Sequence, residues 1–89
     1  MPDTFRVLYF ATASQHTKRS DELFPAPMTL AQLLDELETR YKGITQKVLR
    51  RCMITVNLEY VDCETEEQRE GVVLRGGDEV GILPPVSAG

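Results

Sequence analysis

Leu30, Leu33, Leu34, Leu37 and Tyr41 recur at i, i+3, i+4, i+7 and i+11, the spacing that lays one apolar stripe along a helix. The pattern predicts a helix over residues 30–41. Thr29 with Gln32 three residues on forms a capping box, Met28 with Leu33 fits a hydrophobic staple, and Gly43 supplies a left-handed C′ residue. Leu33 and Leu37 should therefore be core. Before this helix, Phe5-Arg6-Val7-Leu8-Tyr9-Phe10 is rich in aromatic and β-branched residues without a breaker, which predicts a strand. Its apolar residues fall on both faces, as in a central strand.

Residues 11–20 are polar and weakly patterned, consistent with a short helix or loop ending near Lys18-Arg19-Ser20. Glu22-Leu23-Phe24-Pro25 reads as a brief second strand pairing back on the first, stopped by Pro25 and Pro27. Beyond the helix, Ile44 to Arg51 reads as one irregular helical turn. Residues 52–57 then alternate as a strand, with Cys52, Ile54 and Val56 on the core face and Met53, Thr55 and Asn57 on the other. A tight turn over Asn57-Leu58-Glu59-Tyr60 leads into a short return at Tyr60-Val61. Residues 64–70 are expected to be a charged loop. Val72-Val73-Leu74 is a short strand, Arg75-Gly76-Gly77-Asp78 a turn, and Glu79-Val80-Gly81-Ile82-Leu83 the last strand.

One main helix thus covers one face of a mixed sheet, and the first and last strands can lie side by side in parallel because the helix sits in the crossover between them. The expected architecture is α+β, with the outline of a ubiquitin-like β-grasp domain over residues 1–83 and an extended tail over 84–89.

With 89 residues, 42% hydrophobic and 27% charged, the chain suits a single globular domain with one modest core and little room for a deep substrate cavity. Ten Lys+Arg against fourteen Asp+Glu leave a net charge of −4, which argues against nucleic acid as a ligand. The charge is segregated: residues 21–41 sum to −4, residues 42–51 to +4 and residues 52–70 to −5. Such opposed patches point to protein partners. The expectation is a reduced, cytoplasmic protein with no membrane contact, since Cys52 and Cys63 lack metal-ligand spacing and there is no signal peptide or apolar run of membrane length.

Side chains that could carry chemistry are few. The single His16 lies in a polar stretch with no nucleophile motif, Cys52 sits on an apolar strand face, and Cys63 adjoins an acidic run whose charge raises a thiol pKa. The acidic run lacks the alternating ligands and central glycine of a calcium loop, so no metal is expected. What remains is the end, Pro84-Pro85-Val86-Ser87-Ala88-Gly89. Two prolines forbid further ladder pairing, and a terminal glycine carboxylate can enter a narrow channel and be activated as an acyl group.

Val7-Leu8-Tyr9-Phe10-Ala11, Asn57-Leu58-Glu59-Tyr60-Val61 and Gly77-Asp78-Glu79-Val80 running through Pro84-Pro85 to Gly89 resemble the small, sulfur-carrying subunit of molybdopterin synthase. That family ends in Gly-Gly, whereas here the penultimate residue is Ala88. The resemblance implies that Gly89 is adenylated by an ATP-dependent activating enzyme, converted to a thiocarboxylate, and inserted into the large synthase subunit to donate sulfur to cyclic pyranopterin monophosphate. It implies a synthase of two small and two large subunits, an inserted tail of Pro84, Pro85, Val86, Ser87 and Ala88, and no stably bound cofactor, ATP being consumed by the activating enzyme. The carrier itself would have no catalytic pocket, and Phe10 and Leu83 are candidate contacts with the large subunit. The alternatives are a ubiquitin-like protein modifier, a sulfur carrier for thiamine or transfer-RNA thiolation, and an interaction module with an inert tail.

Overall fold

The computed structural model describes residues 3–84. Strand β1 (Thr4–Tyr9) is followed by helix α1 (Thr12–Thr17), β2 (Asp21–Pro25), β3 (Met28–Thr29), α2 (Leu30–Arg40), α3 (Ile44–Lys47), a 3-10 turn (Leu49–Arg51), β4 (Met53–Val56), β5 (Glu59–Tyr60), α4 (Glu66–Glu70), β6 (Val73–Leu74) and β7 (Glu79–Leu83). The main sheet runs β2-β1-β7-β4-β5. Its central pair, β1 and β7, is parallel, with Val7 opposite Val80 and Tyr9 opposite Ile82, while β2, β4 and β5 run antiparallel to their neighbours. The expected side-by-side placement of the first and last strands is observed.

Helix α2 packs its stripe of Leu30, Leu33 and Leu37 on the sheet, where Phe5, Val7, Tyr9, Phe24, Ile54, Val80 and Ile82 complete a buried core with Ile44 and Leu74. Its capping box is formed: the Gln32 N–H donates to Thr29 Oγ1 at 3.1 Å and the Thr29 N–H to Gln32 Oε1 at 2.9 Å. Gly43 has the expected positive φ of 89° but lies one residue beyond the C′ position, at the start of α3. There Glu38 reaches over to accept the N–H groups of Gly43 at 2.8 Å and Thr45 at 3.0 Å. These bonds to backbone donors hold the Glu38 carboxyl below its ordinary value.

Several local expectations are corrected. Residues 64–70 do not form a plain loop: Glu66–Glu70 is a helical turn with its own capping box, Thr65 with Gln68. Met28 and Thr29 also pair with Leu74 and Val73 in a separate two-stranded ribbon. Strand β4 is shorter than residues 52–57, because Cys52 precedes it and Asn57 belongs to the following turn. The return strand is Glu59–Tyr60, one residue earlier than expected.

Candidate functional site

Alternation along β1 and β7 sends Leu8, Phe10, Gly81 and Leu83 to the face away from α2. The registers Met53 opposite Leu83, Thr55 opposite Gly81 and Tyr60 opposite Thr55 add residues of β4 and β5 to the same face. An apolar surface results. Phe10 is 43% exposed, Tyr60 63%, and Leu58, at the tip of the β4–β5 hairpin, 90%.

The tip is held out by its backbone. Asn57 and Leu58 have φ of 52° and 71°, the pair of positive values that a two-residue type I′ hairpin requires. Asn57 also pins the hairpin to β7: its Nδ2 donates to Asp78 Oδ1 at 3.1 Å, its Oδ1 accepts the Glu79 N–H at 3.0 Å, and its own N–H donates to the Glu79 carbonyl at 2.8 Å. Asp78 in turn accepts the Arg75 N–H at 2.8 Å, closing the turn in which Gly77 has φ of 88°. Two stretches singled out in the sequence, Asn57 to Val61 and Gly77 to Val80, therefore interlock.

At the centre of this face is a hollow of about 220 Å³ lined by Leu8, Phe10, Leu58, Tyr60, Gly81 and Leu83 among others. Gly81 forms its floor, and a Cβ added there would lie 2.6 Å from Thr55 Oγ1. Burial of Thr55, expected on the open side of its strand, follows from this close fit. The chain leaves the sheet here: the Phe10 N–H donates to the Ile82 carbonyl at 3.1 Å, Leu83 is half-buried, and Pro84 is exposed without secondary structure. Pro85, Val86, Ser87, Ala88 and Gly89, the rest of the expected reactive tail, lie outside the described residues.

A second polar constellation escaped sequence reasoning. The Glu22 carboxylate accepts hydrogen bonds from Tyr9 OH at 2.9 Å, Tyr41 OH at 2.7 Å and Arg40 Nη1 at 2.6 Å, and the Arg40 guanidinium stacks 4.5 Å from the Phe24 ring centroid. Burial alone would raise the Glu22 carboxyl, but these three donors together outweigh it and hold it below its ordinary value. Burial and the same carboxylate push both tyrosines up. With every member satisfied within the domain, the cluster braces β1, β2 and α2. Eighteen residues of chain separate Glu22 from Tyr41, which left no local pattern to find the cluster by.

His16 lies half-exposed on α1, and burial pushes both thiols up, that of Cys63 being further raised by Asp62 and Glu64 against the opposing effect of Arg69. Among the described residues no group of three or more His, Cys, Asp or Glu is placed to hold a metal ion, and no helix is long and apolar enough to cross a membrane.

The parallel β1–β7 pair, the antiparallel flanks and the single covering helix define a ubiquitin-like β-grasp domain. The chain belongs to the ThiS family, whose model matches residues 7–89. It is 48% identical over 89 residues to the molybdopterin synthase sulfur carrier subunit of Emericella nidulans, with 97% of this chain and 98% of that protein covered. A Pyrococcus furiosus protein described as molybdopterin converting factor subunit 1 superposes with a TM-score of 0.75 at 26% identity, covering 93% of this chain and 98% of that one. The small archaeal modifier protein 1 of Haloferax volcanii superposes with a TM-score of 0.72 at 17% identity over 93% and 98% of the two chains, a likeness of fold alone.

Proposed function

We propose that this chain is the sulfur-carrier subunit of a molybdopterin synthase. The observation that carries the reading is the near-full-length identity to the Emericella nidulans carrier, within a family match that runs to Gly89 itself. In this reading an activating enzyme adenylates the Gly89 carboxylate at the expense of ATP, and a sulfur donor displaces the adenylate to leave a thiocarboxylate. Its sulfur is ionised at neutral pH and is a soft nucleophile, like thiolates generally. Pro84, Pro85, Val86, Ser87 and Ala88 carry that sulfur into the large subunit, where it attacks cyclic pyranopterin monophosphate.

The domain's part is presentation. The apolar face around Phe10 and Leu83 lies at the point where the tail departs, so a partner covering it receives the tail in a fixed direction. Burying apolar surface there supplies association energy that the tail alone lacks. The assembly is two small and two large subunits, and the acid-base groups for the pterin chemistry come from the large one. Cells lacking the chain should lose molybdenum-cofactor enzyme activity and regain it with the intact chain but not with one ending at Ala88. If activity persists without the chain while lysine-linked conjugates of it accumulate, it is instead a protein modifier.

A further inference from the structure

Cys52 and Cys63 are the only cysteines of the chain, and the β4–β5 ribbon relates them. Thr55 pairs with Tyr60 and Val56 with Glu59, and the Val61 N–H donates to the Ile54 carbonyl at 3.0 Å. Carried two residues past that bond, the same register would set Cys52 across from Cys63. Both therefore share the side of the ribbon on which Ile54, Val56 and Val61 pack against the core, and both do pack against it. They also line one cavity of about 740 Å³ between α2 and the ribbon, together with Leu34, Leu49, Ile54 and Val61.

The ladder itself stops short of them. The Cys52 N–H turns to the Leu49 carbonyl at 3.3 Å, and the Cys63 carbonyl accepts from Arg69 Nη1 at 2.7 Å. No bond between the two backbones holds them at a set spacing, and the cavity leaves room for the sulfurs to approach. A ribbon that kept its register as far as the two cysteines would bring their Cα atoms to about 5.5 Å, inside the roughly 4.4–6.8 Å range that a disulfide spans.

We propose that Cys52 and Cys63 are a modification site that closes to a reversible intramolecular disulfide, with a low-molecular-weight disulfide such as glutathione disulfide as oxidant. One protein thiolate attacks a sulfur of glutathione disulfide, forming a mixed disulfide and releasing one glutathione. The second protein thiolate then attacks the protein-side sulfur and releases the other. Two protein thiols are oxidised, one glutathione disulfide is reduced, and the two protons end on the released glutathiones. The bridge ties the start of β4 to the segment before α4. Met53, the next residue, lies opposite Leu83, so the bridge stiffens the strand that flanks the tail's departure. Because exchange requires thiolate, and burial keeps both thiols protonated, closure is slow at neutral pH and quickens with alkalinity.

The test is to incubate the reduced, folded full-length chain with glutathione disulfide, quench with acid, alkylate, and measure intact mass and peptide linkage, with an unfolded sample in denaturant as control. The expected product is a monomer lighter by two hydrogens, resistant to alkylation and containing a Cys52–Cys63 linked peptide. Its rate of formation should rise about tenfold per pH unit below the thiol pKa, and its thermal midpoint should rise by roughly 10 °C. The Cys63→Ser variant should stop at a single glutathione adduct on Cys52. Two glutathione adducts on the folded chain, a disulfide between two chains, or thiols still free when the unfolded control has closed would each overturn the proposal. So would a bridge that lowers the thermal midpoint, because the native register would then not accommodate it.

Discussion

Gly81 shows how much a single residue can decide. A side chain there would collide with Thr55 Oγ1 at 2.6 Å, on the central strand, where neither backbone can move far. Gly81→Ala should lower stability by about 1–3 kcal/mol in denaturant unfolding, and adding Thr55→Ala should recover much of the loss. A destabilisation unchanged by the second substitution would place the strain elsewhere. Glu22 gives a pH signature. Its folded carboxyl is held below the unfolded value of about 4.3, so its contribution is fully present above that pH and is lost as pH falls through the folded value. Glu22→Gln should cost about 1 kcal/mol at pH 7 and flatten the fall in stability below about pH 4.5; an unaltered pH slope would exclude Glu22 as its source. At the tail, a methyl at Ala88 removes positive-φ conformations open to glycine. Ala88→Gly should therefore speed adenylation or sulfur transfer in single-turnover assays, and equal rates would show that tail width does not limit either step.

Among the elements, the two capped helices respond differently. Leu37 on α2 is fully buried, and Leu37→Ala should cost roughly 2–5 kcal/mol. Helix α4 has no buried residue, so Thr65→Ala should cost about 1 kcal/mol or less and show itself as faster amide exchange confined to residues 66–70. Global loss of protection would contradict this. The contrast also explains what could be read from the sequence. Helix α2 was legible because its leucines repeat at helical spacing, and the central strands because their residues are apolar on both faces. Helix α4 carries the same Thr-x-x-Gln start as α2, in Thr65 to Gln68, but no apolar stripe follows it. The alternation placing Cys52, Ile54 and Val56 on the core side was right, while burial of Thr55 on the other side depended on Gly81, its partner 26 residues away. The Glu22 cluster joins three elements through side chains alone, which periodicity does not report.

For the molecule as a whole, the proposed division into a folded domain and a reactive end predicts that stability and function separate. Removing Ser87-Ala88-Gly89 should leave the thermal midpoint within about 2 °C, as trimming a chain terminus generally does, and abolish sulfur transfer. A large fall would mean that the tail contributes to this domain's own packing. The central claim is that Gly89 carries sulfur as an acyl group, and the most direct measurement is the intact mass of the chain isolated from its own cells, with the modification localised by fragmentation. The expected result is replacement of one terminal oxygen by sulfur at Gly89. A population bearing Gly89 in amide linkage to lysine, with no thiocarboxylate detected even when the activating enzyme, ATP and a sulfur donor are supplied, would contradict it.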